Sequence, residues 1–456
     1  MTTESVDVVV VGLGPGGEAL TTQLAKAGLS VIGVDVRLVG GECPYYACVP
    51  TKMMIRAADA LTEARRVRGL AGSAQVQPDW SQVAARIRNE ATDNWDDRVA
   101  VQRLEQAGAR FVRGRGTLAG PGEVTVSTSD GEVTLKAGKG IVVNPGTDPA
   151  VPAIPGLAGT PFWTNRDAVQ TTQVPSTMIV LGGGPVGCEL TQVFSRFGAK
   201  VTLVQSRERL LPTAEPEASQ LIEQRFADEN ISVRTGAAVT SVDHDAGGFT
   251  VWLGNESLTA ECLLVATGRQ TDLATLGVGA FGLDERARGI TVDERMRAAP
   301  GLWAIGDVTG KGAFTHMSMY QAKIAAADIL GTEHAAADYR AVPAVTFTDP
   351  EVGQVGLTEA AATERGLTIR TGSTSLPNSS RGFIHGVGNE GLIKLVEDAG
   401  RGILVGATSV GPTGGEVLGA LAVAVQAEVP TTTLRQMIYA YPTFHRAIES
   451  ALDDLQ

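Results

Sequence analysis

Val6-Asp7-Val8-Val9-Val10-Val11-Gly12-Leu13-Gly14-Pro15-Gly16-Gly17 is the stretch whose reading decides the fold. Residues 6–11 predict a strand that runs into GxGxxG at Gly12, Gly14 and Gly17, followed by an apolar, helix-like stretch over 19–27. A second strand over 29–34 ends at Asp35, 18 residues past Gly17. Glycines at this spacing permit a tight turn, close approach of a pyrophosphate to backbone N–H groups and helix–strand packing, and the acid accepts from ribose hydroxyls. GxGxxG alone also occurs in ordinary turns. Strand, glycines, helix and acid in this order specify a dinucleotide-binding unit.

The pattern recurs in Met178-Ile179-Val180-Leu181-Gly182-Gly183-Gly184-Pro185-Val186-Gly187, which places GxGxxG at Gly182, Gly184 and Gly187. A helix to about Phe197 and a strand over 200–204 are predicted to follow. Here the residue 18 positions past the last glycine is Gln205, not an acid. Without that carboxylate a ribose 2′-phosphate is not repelled, and Ser206, Arg207 and Arg209 follow at once as its candidate partners. The plainer alternative is that both arginines are solvated loop charges. NADPH is therefore expected at this site, with NADH the alternative.

After the first unit comes Gly40-Gly41-Glu42-Cys43-Pro44-Tyr45-Tyr46-Ala47-Cys48-Val49-Pro50-Thr51-Lys52. On a plain helix, residues five apart are separated by about 7.5 Å along the axis and face apart, beyond disulfide reach. The segment must bend if Cys43 and Cys48 bond. Pro44 interrupts regular structure, and Pro50 suits the first position of a helix from about residue 51. Cys48 then lies near the positive end of that helix, where a thiolate is favoured. An isolated cytosolic pair would more often be two reduced, buried cysteines. Nucleotide sites on either side favour a redox dithiol.

Composition narrows the class further. The chain has 456 residues, long enough for about three domains, and its 55 glycines suit many strand-to-helix turns. A net charge of -12 argues against a nucleic-acid or membrane-surface binder. No apolar run reaches the roughly 18 residues of a membrane span, and no leader pattern precedes Val6, so a cytoplasmic protein is expected. Four cysteines, at 43, 48, 188 and 262, make no disulfide framework, and no metal-ligand set is expected.

Two fingerprints around a C-x4-C segment resemble the flavoprotein pyridine nucleotide-disulfide oxidoreductases: lipoamide dehydrogenase, glutathione and mycothiol-disulfide reductases, and mercuric reductase. Further matches are Val265-Ala266-Thr267-Gly268-Arg269, Trp303-Ala304-Ile305-Gly306-Asp307-Val308, Phe314-Thr315-His316-Met317-Ser318 and the run from Phe347 to Glu359. The resemblance covers essentially the whole chain. It implies an α/β fold with two Rossmann-like dinucleotide-binding domains and a C-terminal α+β dimerisation domain. The expected segments are 1–156 (FAD), 157–272 (NAD(P)), 273–340 (FAD again) and 341–456 (dimerisation). In the last, strands are predicted over 345–347, 392–396 and 403–408, and helices over 415–427 and 443–455.

The resemblance also implies roles. Cys48 is the flavin-facing sulfur, Cys43 the interchange thiol, and Lys52 with Glu189 an ion pair near the reactive flavin nitrogen. Gly146, Gly268, Asp307, Thr315 and His316 fall at flavin-binding positions, although the residues alone would make His316 a core histidine. Asn144, Pro145 and Gly146 replace the first Ala-Thr-Gly of the family, and Tyr45 and Tyr46 stand between the cysteines as possible linings of a thiol pocket.

The pattern breaks near the C-terminus. Family disulfide reductases carry a His before Pro-Thr and a Glu five residues later, supplied across the dimer as acid–base. Here those positions hold Tyr441 and Arg446. A phenol with a pKa of about 10 is a poor base at neutral pH. His445 and Glu449, at i and i+4, form a displaced dyad on one reading and an ordinary terminal-helix surface on the other, which is preferred. The expectation is an FAD-dependent homodimer that passes electrons from NADPH through the dithiol to a small-molecule acceptor, namely a metal ion, a quinone or an unusual disulfide. The absence of a C-terminal cysteine pair disfavours mercury. The alternatives are a transhydrogenase or quinone reductase using flavin alone, a lipoamide or low-molecular-weight disulfide reductase with a displaced base, and a non-enzymatic redox sensor.

Overall fold

The structure, a computed structural model, describes residues 2–456. It divides into two compact units. The first gathers residues up to Pro50 with Arg86–Pro149 and Arg269–Tyr339, and the second gathers Thr51–Ala85, Ala150–Gly268 and Arg340–Gln456.

In the first unit the valine-rich strand Thr2–Val11 pairs in parallel with Val31–Asp35 on one side and Gly131–Val143 on the other. The sheet continues through Leu302–Ala304 at one end and Arg110–Arg113 at the other, and two antiparallel strands, Arg115–Gly120 and Glu123–Thr128, extend off Gly131–Val143. Val8, Val9 and Val10 are fully buried because both sheet faces are covered, one by the helices Pro15–Lys26 and Thr315–Leu330. The first helix starts four residues earlier than its apolar run, with Pro15 at its first position and Gly14 as its cap.

The second unit contains a four-stranded parallel sheet, ordered Ser232–Arg234, Lys200–Val204, Thr177–Leu181, Cys262–Val265, with the helix Pro185–Arg196 after its fingerprint. A three-stranded antiparallel sheet, Ser241–Asp245, Gly248–Leu253 and Glu256–Ala260, shares its core. The C-terminal part is a five-stranded antiparallel sheet, ordered Pro343–Thr346, Glu351–Gly356, Ile403–Gly411, Leu392–Asp398, Ile369–Ser375, with the helices Gly414–Gln426 and Ala447–Asp453 packed over it. This is the expected α/β architecture.

The units do not coincide with the four expected segments. Residues 51–85 join the second unit because the later turns of the helix Cys48–Arg66 are ion-paired within it: Asp59 with Arg196 at 2.6 Å and Arg66 with Asp349 at 2.8 Å. Among the described residues no helix is long and apolar enough to cross a membrane.

Candidate active site

The first fingerprint has the close packing that a dinucleotide pyrophosphate loop requires. A Cβ at Gly12 would stand 2.2 Å from the Asn144 carbonyl oxygen, and one at Gly17 would stand 2.1 Å from the Gly12 carbonyl oxygen. Only glycine allows the turn and the helix to approach so closely. Asp35 holds the loop: its Oδ2 accepts from Leu13 N and its Oδ1 from Arg37 N, both at 2.7 Å. Burial raises the Asp35 carboxyl above its usual range and outweighs these bonds. Each oxygen keeps a lone pair for a ribose hydroxyl. These residues fit the adenosine end of FAD.

Asn144, known from the sequence only as a departure from the family motif, has a definite role at this loop. With its amide oriented to satisfy its neighbours, it accepts from Gly17 N and donates to the Ile305 carbonyl, each at 3.0 Å. It joins the first helix to the Gly306-Asp307 segment. Asp307 Oδ2 accepts from Thr147 Oγ1 at 2.9 Å.

The thiol segment is bent, and more sharply than the prolines predict. Glu42–Tyr45 forms one short helical turn carrying half-buried Cys43, and the long helix begins at Cys48 itself. Pro50 is therefore inside the first turn rather than opening it, where its missing N–H is still without cost. Gly40 and Gly41 have φ of 106° and 69°, and a Cβ at Gly41 would lie 2.8 Å from Gly14 Cα. The double glycine lays the thiol segment against the phosphate loop.

Cys48 is exposed, and its Sγ lies 3.3 Å from Thr315 Oγ1 at the start of Thr315–Leu330. No acidic residue stands in the first turn of Cys48–Arg66, so its positive end favours charge on the sulfur. Cys188 and Cys262 are the opposite case. Both are buried; burial pushes the Cys188 thiol far up and the Cys262 thiol up to about 12, which leaves them inert. Tyr45 is buried, its hydroxyl pushed up to about 12 by burial, and it packs inward rather than lining a mouth. His316 is exposed and stacked on Phe314 at 5.0 Å, not a core histidine.

In the second unit Lys52 Nζ lies 2.7 Å from Glu189 Oε2, and Glu189 Oε1 accepts from Phe347 N at 2.8 Å. Glu189 is buried, and the ammonium also stands 4.8 Å from the centre of the Phe347 ring. Lys52 is one turn beyond Cys48 on the same helix.

The second fingerprint repeats the cradle: a Cβ at Gly182 would lie 2.4 Å from the Ala266 carbonyl oxygen, and one at Gly187 would lie 1.8 Å from that of Gly182. Gln205 is buried, whereas Ser206 and Arg207 are exposed. Arg209 is committed elsewhere. Its Nη1 donates to the Leu211 and Ala214 carbonyls and to Ser219 Oγ, and its Nη2 to the Pro212 carbonyl, at 2.7–3.2 Å. It braces the following loop rather than lying free in solvent.

Near the C-terminus the helix starts at Ala447, so His445 precedes it and no i,i+4 pair forms. Glu449 Oε2 pairs with Arg446 Nη2 at 2.9 Å, and the His445 ring lies 6.1 Å from that of Tyr439. The displaced dyad is absent. Arg446 also stands 5.5 Å over the ring of Tyr441, which is 68% exposed.

Residues 6–326 match the model of the pyridine nucleotide-disulphide oxidoreductases, and residues 342–452 match that family's dimerisation domain. A dihydrolipoyl dehydrogenase of Chlorobaculum tepidum is 33% identical, with 99% of this chain and 97% of that protein covered. A mercuric reductase of Streptomyces lividans is 32% identical, with 98% and 95% covered. A solved Cu(II) complex of the HOCl-induced flavoprotein disulfide reductase RclA from Escherichia coli superposes with a TM-score of 0.87 at 25% identity, with 99% of each chain covered. The chain belongs to the pyridine nucleotide-disulphide oxidoreductase family, whose members use FAD and NAD(P)H.

Proposed function

We propose that this member of the family is an NADPH-preferring, homodimeric reductase whose Cys43–Cys48 pair delivers electrons to an acceptor that needs no proton from the enzyme, with an oxidised metal ion the leading class. FAD supplies the two-electron link between nicotinamide and dithiol. The chain's own residues do the rest. Gly12, Gly14, Gly17 and Asp35 hold the adenosine end, and Asp307 and Thr315 with the segment around Gly146 frame the remainder. Cys48, at a helix N-terminus beside Thr315, carries the sulfur's negative charge, and Lys52, oriented by buried Glu189, adds a cation one turn away. Cys43, on the separate turn, meets the acceptor.

Preference for NADPH rests on Gln205 in place of the usual acid and on Ser206 and Arg207 standing exposed beside it. The acceptor is inferred from the Arg446–Glu449 ion pair. It consumes the carboxylate that would orient His445, and the family's acid–base positions hold a phenol and a guanidinium. A leaving thiolate that must be protonated is poorly served. A metal ion takes electrons without that demand, and the structurally similar RclA was solved with Cu(II).

The test is anaerobic titration with NADPH, followed by a screen of Cu(II), Hg(II), quinones and disulfides with the wild type, Cys43→Ser and Cys48→Ser. Uptake of four electrons per FAD and loss of metal reduction in both serine variants are expected. Two-electron uptake with unchanged quinone turnover would instead establish a flavin-only reductase.

A further inference from the structure

One network in the first unit has no part in the electron path just described. Arg269 pairs, through the strand Arg269–Gln270, with Asp148–Pro149. Its Nε donates to Thr147 Oγ1 and its Nη2 to the Thr147 carbonyl, both at 2.6 Å. Thr147 Oγ1 donates onward to Asp307 Oδ2. The same Nη2 stands 3.6 Å from Glu42 Oε2. Glu42 opens the turn Glu42–Tyr45 and Cys43 follows it in the chain, so the carboxylate and the thiol are carried by the same short turn. Two N–H groups fixed on Thr147 prevent the planar guanidinium from following Glu42 outward, so Glu42 is anchored to a stationary fork. The side chains are 27% and 22% exposed, which leaves their charges only partly screened.

We propose that Glu42 and Arg269 are positioning and charge-balancing residues for Cys43, and that together they set how readily the Cys43–Cys48 disulfide takes up electrons. A carboxylate on the same turn as the sulfur opposes the negative charge that a reduced dithiol develops, and the guanidinium offsets it. Held by Thr147, which also serves Asp307, the guanidinium ties the thiol turn to the segment expected to hold the flavin. The inference rests on the dithiol reading above.

The measurement is the equilibrium in which the protein disulfide and two glutathione thiols give the protein dithiol and one glutathione disulfide. One S–S bond breaks and one forms, two electrons pass to the protein, one glutathione proton passes to Cys43 and the other to the buffer, which leaves Cys48 as the thiolate. FAD-loaded wild type, Glu42→Gln, Glu42→Lys, Arg269→Gln and the Glu42→Gln/Arg269→Gln double variant are equilibrated in anaerobic glutathione buffers, acid-quenched, denatured and labelled with a maleimide. Mass spectrometry then counts two labels for oxidised protein, on Cys188 and Cys262, and four for reduced.

Removing the carboxylate leaves the cation unopposed and raises the equilibrium constant for reduction about threefold, as one charge near a partly exposed group should. Glu42→Lys raises it further, Arg269→Gln lowers it about threefold, and the double variant returns close to wild type. Loss of packing alone would move both single variants in one direction. Shifts of the same sign, or no shift in the Glu42 variants, overturn the pair while leaving the dithiol intact. If Arg269→Gln does not retain FAD, the Glu42 series decides alone, and Glu42→Lys no greater than Glu42→Gln overturns the proposal. A wild type fixed at one label count in every buffer overturns the dithiol reading and this inference with it.

Discussion

Replacing Arg196 by Met tests the frame that holds the second unit's part of the site. Arg196 closes the helix that carries Glu189, and its side chain is 2% exposed. It donates to Glu229 through Nε at 3.0 Å and Nη2 at 2.7 Å, to Asp59 through Nη1 at 2.6 Å and to Asp349 at 2.7 Å. Asp59 lies on the helix that carries Lys52, so this one guanidinium sets the register between the two helices of the Lys52–Glu189 pair. Removing one partner of a buried ion pair costs about 3–5 kcal/mol. The lower end applies here, because Asp349 keeps Arg66 at 2.8 Å, Glu229 keeps Arg225 at 2.9 Å and Asp59 is 38% exposed and can turn to water. At about 2–4 °C per kcal/mol for a unit of roughly 250 residues, a loss of about 3 kcal/mol lowers the melting temperature by about 6–12 °C. Arg196→Lys retains the charge but not the fork and should lose less than half as much. Scanning calorimetry of the FAD-loaded protein measures both. A fall below about 2 °C for Arg196→Met, or equal damage from Arg196→Lys, refutes the electrostatic account.

Arg207→Ala should lower kcat/KM for NADPH about 10–100-fold and leave that for NADH within about twofold, because it removes one charge-assisted phosphate contact; equal losses for both nucleotides would contradict a 2′-phosphate role. Glu189→Ala leaves Phe347 N–H without its acceptor and should cost about 1–3 kcal/mol by thermal unfolding, whereas Glu189→Gln, which keeps an acceptor, should recover part of it. Burial opposes ionisation of Asp349, but Arg196, Arg66 and Arg225 outweigh it and hold its carboxyl below the usual range. Its stabilisation is therefore complete above the unfolded pKa of about 3.9 and is lost as pH falls through the folded value. The difference in melting temperature between wild type and Asp349→Asn should shrink as pH falls below about 4, beyond a separate change near pH 6 where Asp59, raised to about 6 by burial and in part by Asp349, takes up its proton, and a difference independent of pH would rule this out.

What could be read from the chain depended on the range over which its physics acts. Both nucleotide loops were legible because their glycines meet a local steric demand that recurs at fixed spacing. The strands Glu351–Gly356 and Ile369–Ser375 were missed, since neither has an apolar run. Their Gly353 and Gly372 instead let helices approach, with Cβ positions 3.0 Å from the Gly414 carbonyl oxygen and 2.2 Å from that of Ala451. The bonds of Arg209 were not legible for a related reason: composition shows a cation beside a nucleotide loop, but not the carbonyls that its own chain folds around it. The start of the thiol helix depended on two left-handed glycines and a proline acting together, and the Arg196 cluster joins residues 59, 196, 229 and 349, whose proximity no local pattern encodes.

The C-terminal segment carries the sharpest test of where the electrons go. If the acceptor is set by the missing acid–base pair, restoring it should change the chemistry. Tyr441→His supplies an imidazole and Arg446→Glu a carboxylate at the family's spacing. The second change also removes the cation over residue 441 and the partner of Glu449. General acid–base assistance contributes about 10²–10⁴-fold where geometry is right, and an imperfect graft should still raise NADPH-dependent reduction of lipoamide or a small disulfide about tenfold. Either change alone should give little, because an unoriented imidazole and an isolated carboxylate are both poor proton donors to a leaving thiolate. Metal-ion reduction should be unaffected, since it draws on Cys43 and Cys48 without proton delivery. Disulfide turnover in the wild type equal to that of the double variant would show that protons reach the thiols by another route and would remove the reason for placing a metal ion first.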